Sequence, residues 1–97
     1  MAKYHFTNKA IEDLTEIWQY TAEEWSEKQA DKYYDLILLA CNELATNPSL
    51  GKSYEVISKG VLGYKSGEHI IFYHVISRRE IEVIRILHGM LDLKSKL

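Results

Sequence analysis

Cysteine is almost missing from this 97-residue chain: Cys41 stands alone, so no disulfide can form within the chain and a reducing compartment is the simpler setting. Proline occurs once and glycine five times, a composition unlike that of disordered or fibrous chains. Long apolar runs are absent too, and nothing approaches the ~18 residues of a membrane span. The opening Met-Ala-Lys-Tyr-His-Phe has no apolar core of a secretory signal. The expectation is a soluble, cytoplasmic protein without a membrane partner.

Positive charge is in modest supply, with twelve Lys and Arg against fourteen Asp and Glu and a net charge of −2. Affinity for nucleic acid rests on clustered cations, so this balance argues against a protein that binds DNA or RNA through its phosphates. The charge is segregated, however. Residues 1–50 carry four Lys and nine acidic residues, a net of −5, and residues 51–97 carry eight cations and five acids, a net of +3.

Enzyme signatures are missing as well. The chain has no Gly-x-Ser-x-Gly elbow, no phosphate-cradling glycine loop and no His-Glu-x-x-His. The four histidines, His5, His69, His74 and His88, show no close pair at zinc-ligand spacing, and His69 and His74 fall on opposite faces of one strand, so no metal and no cofactor is expected. Cys41 lies late in a helical apolar stripe, where a thiol packs and does not react. Glu12 and Glu16, four apart on a helix, read as a solvated face.

What is present is a clear alternation of patterns. Tyr4 and Phe6 belong to a short first strand, ended by Thr7 or Asn8, either able to cap a helix. Ile11, Leu14, Ile17, Trp18, Ala22 and Trp25 recur at spacings of three and four and predict one apolar helix face, with Glu12, Asp13, Glu16 and Glu23 toward solvent. Trp18 and Trp25 would anchor the helical pair to a sheet. Ser26-Glu27-Lys28-Gln29 fits a capping box, so a second helix starts there. Its stripe is Ala30, Tyr33, Tyr34, Ile37, Leu38, Cys41, Leu44 and Ala45, running out at Asn47 before Pro48.

Turn residues fill 47–52, and Gly60 and Gly63 mark a loop leading to a short strand. His69 to Ile76 and Ile81 to Leu87 predict two central strands, joined by a four-residue turn at Ser77-Arg78-Arg79-Glu80. Residues 1–97 therefore read as one α+β domain: a short N-terminal strand and an antiparallel two-helix hairpin packed on a three- to four-stranded antiparallel sheet, in the order β-α-α-β-β-β. Arg85, His88 and Asp92, with His69 and Tyr73 in the neighbouring strand, form the remaining polar constellation.

The stretches Gly67-Glu68-His69-Ile70-Ile71-Phe72-Tyr73-His74-Val75 and Ile81-Glu82-Val83-Ile84-Arg85-Ile86-Leu87-His88-Gly89, followed by Asp92, resemble the C-terminal half of ParE toxins, on the ParE branch of the RelE/ParE superfamily. Ala10 to Leu14 and Ile17 to Tyr20 resemble the first family helix, and residues 47–52 the turn after the second. The resemblance implies the toxin of a type II toxin–antitoxin system, of the kind associated with plasmid stabilisation. Such a toxin inhibits DNA gyrase without being an enzyme. It is neutralised in a hetero-oligomer by a ParD-like ribbon-helix-helix antitoxin, through which alone it meets DNA.

The residues so marked for target or antitoxin binding are His69, Tyr73, Arg85, His88, Met90 and Asp92. Many ParE relatives carry an arginine or another polar residue where this chain has Met90. Two alternatives stay open: a RelE-like, ribosome-dependent mRNA endonuclease using Arg85 and His88, and a non-toxic module that only binds antitoxin.

Overall fold

Thr7 and Ser26 set where the two helices begin. The Thr7 hydroxyl oxygen accepts from the Ala10 N–H at 3.1 Å, and Ser26 Oγ accepts from the Gln29 N–H at 3.0 Å. Each thereby satisfies one of the orphan donors of a first turn. In the computed structural model, which describes residues 1–89, helix α1 spans Asn8–Glu24 and α2 spans Glu27–Thr46. One 3-10 turn, Pro48–Leu50, follows α2.

The strands are β1 (Lys3–Phe6), β2 (Lys52–Ser53), β3 (Leu62–Ser66), β4 (His69–Ser77) and β5 (Glu80–His88). They form one sheet in the order β1-β5-β4-β3-β2. β1 runs parallel to β5 and every other pair is antiparallel, so the sheet is mixed and five-stranded. That corrects the expected three- to four-stranded antiparallel sheet. Alternation along a segment reveals a strand but not its partner, and the two residues of β2 are too few to alternate.

The β4–β5 connection is also tighter than the expected four-residue turn. Ser77 pairs with Glu80, leaving only Arg78 and Arg79 between the strands. Neither has a positive φ, so this is not the mirror-image turn that two-residue hairpins favour, and the register shifts between Val75 and Ser77.

Both helices lie on one face of the sheet, and the main core fills the space between. Ala10 and Leu14 of α1, and Ile37, Cys41, Leu44 and Ala45 of α2, meet Ile71, Tyr73, Ile81, Val83 and Ile86 of the sheet. The opposite face has a smaller cluster, Val61, Phe72 and Leu87, with Tyr54 edge-on to Phe72 at 5.1 Å between ring centres.

The inward face of α1 is rotated from the predicted stripe. Ala10, Asp13 and Leu14 are its buried residues, whereas Ile11 is half exposed and Trp25 is 77% exposed at the helix end. Trp25 therefore anchors nothing to the sheet. Trp18 fastens helix to helix instead, its indole N–H donating to Asp31 Oδ1 of α2 at 2.9 Å. Leu38 is only partly buried, and Ile37 beside it is the fully buried residue.

Burial pushes the Cys41 thiol up to about 12, with no exposed surface at the residue. A thiol-specific reagent at about pH 8 is expected to leave it unmodified until denaturant is added, because only the thiolate is nucleophilic. Rapid labelling of the folded chain would contradict this placement.

Candidate functional site

The polar residues gather where α1 passes over the second half of β5. A bulge positions them. Phe72 pairs with Arg85 and Tyr73 with Val83, so Ile84 has no opposite number. The extra residue lets Val83, Arg85 and Ile86 all address the helix layer: Val83 and Ile86 join the main core while Arg85 reaches α1, and Ile84 packs on the other side. Thr7 seals the bulge from the helix start, its hydroxyl donating to the Ile84 carbonyl at 2.9 Å.

Arg85 meets Asp13 in a two-point pair, Nε to Oδ2 at 2.8 Å and Nη2 to Oδ1 at 3.0 Å. The same Oδ2 accepts the Ile86 backbone N–H at 2.9 Å. Asp13 is 8% exposed, against the expectation that it faces solvent. A carboxylate on this face is stable because it is paired with a cation and accepts three hydrogen bonds from β5. Hydrogen bonding to Asp13 raises the guanidinium pKa of Arg85 further and holds it charged, with Glu12 and Glu16 adding to the effect.

His69 and His88 face each other as Cα partners across β4 and β5, with ring centres 5.4 Å apart. Tyr33 of α2 holds His69, its hydroxyl lying 2.6 Å from His69 Nδ1 and accepting the Glu68 N–H at 3.0 Å. The β3–β4 turn makes this possible. Gly67 has φ +60°, as in a type II′ hairpin turn, and a Cβ there would come within 2.6 Å of the Tyr33 ring. Burial lowers the His69 pKa and His88 lowers it further, with Glu68 and Asp13 opposing.

The unfolded chain therefore takes up this proton first, below about pH 6.5. Stability contributed by a neutral His69 is complete above that pH and is lost as pH falls from there through the folded-state value. Unfolding midpoints should drop between about pH 7.5 and pH 5, and His69→Gln should flatten part of that slope. An unchanged slope in the variant would exclude His69 as its source.

Two adjoining hollows complete the site. One, of about 350 Å3, is lined by Asp13, Glu16, Ile17, Tyr20, His69, Arg85 and His88 among others. The other, of about 510 Å3, shares Tyr20, Thr21, His69 and His88 and extends to Trp25, Gln29, Tyr33 and Glu68. Tyr20 and Trp25 are 64% and 77% exposed. The result is a groove with an aromatic rim, a histidine pair on its floor and a neutralised arginine at one end.

Of the residues expected to bind a partner, His69, Arg85 and His88 thus come together. Tyr73 does not join them: it has no exposed surface, and its hydroxyl donates to the Pro48 carbonyl at 2.6 Å and accepts the Gly51 N–H at 3.0 Å. It pins the turn after α2. Met90 and Asp92 lie outside the described residues. Asp13, Tyr20, Trp25 and Tyr33 are the groove residues that sequence reasoning missed as such. An acidic residue between Ala10 and Leu14 was the available signal for Asp13. Trp25 and Tyr33 are read from the sequence as stripe aromatics, and Tyr20 only as part of the segment that resembles the first family helix.

Among the described residues no helix is long and apolar enough to cross a membrane. Residues 4–93 match the family model described as the ParE toxin of the type II toxin–antitoxin system parDE. Toxin ParE1 of Mycobacterium tuberculosis is 31% identical over 96 residues, covering 99% of this chain and 98% of that one. Toxin ParE1 of Caulobacter vibrioides is 31% identical over 97 residues, covering 100% and 99%. A solved chain of the chromosomal ParDE toxin–antitoxin system from P. aeruginosa superposes with a TM-score of 0.76 at 21% identity, over 91% of this chain and 96% of that one, and so shares the fold. With a family model spanning nearly the whole sequence and curated relatives matched end to end, this chain belongs to the ParE toxin family of type II toxin–antitoxin systems.

Proposed function

We propose that this toxin acts by binding, with DNA gyrase as its target, and that a ParD-like ribbon-helix-helix antitoxin neutralises it in a hetero-oligomer in the cytoplasm. The near full-length family match carries the reading. The groove adds physical support. Exposed Tyr20 and Trp25 beside apolar Ile17 suit an amphipathic arm, since large aromatics supply much contact area at small entropic cost.

The mRNA-cleaving alternative is weaker at Arg85. An arginine whose fork is engaged by a carboxylate is poorly placed to take a phosphate bidentately, and the chain is acidic overall. Purified toxin should inhibit gyrase supercoiling and trap cleaved DNA. Absence of both, with new ends on translated mRNA after induction, would transfer the chain to the nuclease reading. Normal growth on expression without antitoxin would leave only an antitoxin-binding module.

A further inference from the structure

The Tyr33 hydroxyl decides which nitrogen of His69 is bare. Its oxygen lies 3.0 Å from the Glu68 N–H, 2.6 Å from His69 Nδ1 and 3.2 Å from the Ser66 carbonyl oxygen. A phenol has one proton to give and lone pairs to accept with. With a hydrogen on Nδ1, Tyr33 accepts from Glu68 and from His69 and donates to Ser66, so all three contacts are hydrogen bonds. In the other neutral tautomer the single phenolic proton goes to Nδ1 and the contact to Ser66 is lost. The first arrangement satisfies more partners, and it leaves His69 Nε2 as an unprotonated lone pair.

An imidazole whose other nitrogen donates to a fixed oxygen is arranged as metal-ligating histidines are. The second imidazole is at the right distance. With metal–nitrogen bonds of about 2.0 Å and each nitrogen about 1.1 Å from its ring centre, two imidazoles at a tetrahedral angle have centres about 5 Å apart. His69 and His88 have theirs 5.4 Å apart, with planes at 80°. Both rings line the same hollows, where Glu16 and Glu68 bring negative charge and Asp13 offsets Arg85.

We propose that His69 and His88 form a two-histidine site for a divalent cation of the zinc class, clamping β4 to β5 on the groove floor, with Tyr33 orienting the His69 ring. Neutral imidazoles suit zinc, copper(II) or nickel(II) and not magnesium or calcium. Among the described residues no group of three or more His, Cys, Asp or Glu surrounds the place. The described residues thus supply two ligands, and the other positions on the ion are open to water or to a group from a bound partner, as in zinc sites that keep an open position. The two ligands are far apart in sequence, so ligand spacing could not reveal them. The site is independent of the gyrase reading.

The test is a titration of the untagged full chain with zinc chloride, followed by NMR of the histidine rings. Saturation at one equivalent is expected, with shifts at His69 and His88 and none at His5 or His74. His88→Gln and His69→Gln should each weaken binding at least about tenfold, and Tyr33→Phe should weaken it by a similar factor through the ring it orients. Long-range nitrogen–proton couplings should show hydrogen on Nδ1 of His69 before metal is added. No shift at the two rings in excess zinc, or undiminished affinity in a folded His88→Gln chain, overturns the site. His88→Gln decides the matter if His69→Gln fails to fold.

Discussion

Asp13→Ala should lower the unfolding free energy by about 3 kcal/mol, the low end of what breaking a buried ion pair costs. The low end applies because a fifth of the Arg85 side chain is exposed, against 9% of Asp13. The loss has two sources. A partly desolvated guanidinium loses its two bonds to the Asp13 carboxylate, and the Ile86 N–H loses its acceptor at 2.9 Å. For a domain whose whole stability is on the order of 5–15 kcal/mol, this is a large fraction.

Urea unfolding at unchanged slope measures it. Replacing both partners, Asp13→Leu with Arg85→Met, should recover much of the loss, because an apolar pair needs no desolvation of charge. A change below about 0.5 kcal/mol in Asp13→Ala would mean the pair behaves as an exposed salt bridge.

Tyr73→Ala is expected to cost about 3–5 kcal/mol, as for other fully buried aromatic residues. Tyr73→Phe separates the ring from the hydroxyl. The Pro48 carbonyl and the Gly51 N–H then lose their shared partner, at a cost of roughly 1–3 kcal/mol. The backbone comes so close here that a Cβ on Gly51 would lie 2.3 Å from the Tyr73 hydroxyl oxygen. Antitoxin and target affinity of the folded Phe variant should equal that of the parent chain. A variant of full stability but impaired partner binding would return Tyr73 to the contact residues.

Much of the architecture was legible from local chemistry. Ser26 announced the start of α2 and the pair Thr7-Asn8 that of α1, Asn47-Pro48 announced the end of α2, and the β-branched runs announced β4 and β5. The partner of β1 was not legible, because a strand of four residues carries no mark of which edge receives it. Nor was the bulge at Ile84, since an unbroken run such as Ile81 to Leu87 looks the same with one extra residue as without it.

The site shows the same division. Arg85 and His88 were visible as polar interruptions in an apolar strand, and His69 as a strand start. Asp13 was misplaced because apolar periodicity assigns every carboxylate to solvent, and only a cation on a facing strand reverses that assignment. Tyr73 was grouped with the polar candidates of the strand, and only the structure shows that backbone groups of the turn after α2 satisfy its hydroxyl in the interior.

By itself, then, the sequence determined a two-helix, multi-stranded α+β chain of the ParE type, because caps, periodicity and family motifs are properties of neighbouring residues. Tertiary structure alone decided that β1 lies parallel to β5, that Asp13 neutralises Arg85 and that His69 faces His88 under the hand of Tyr33. These are pairings between residues distant along the chain, and their energies exist only once the sheet register and the helix rotation bring the groups within a few ångströms of one another.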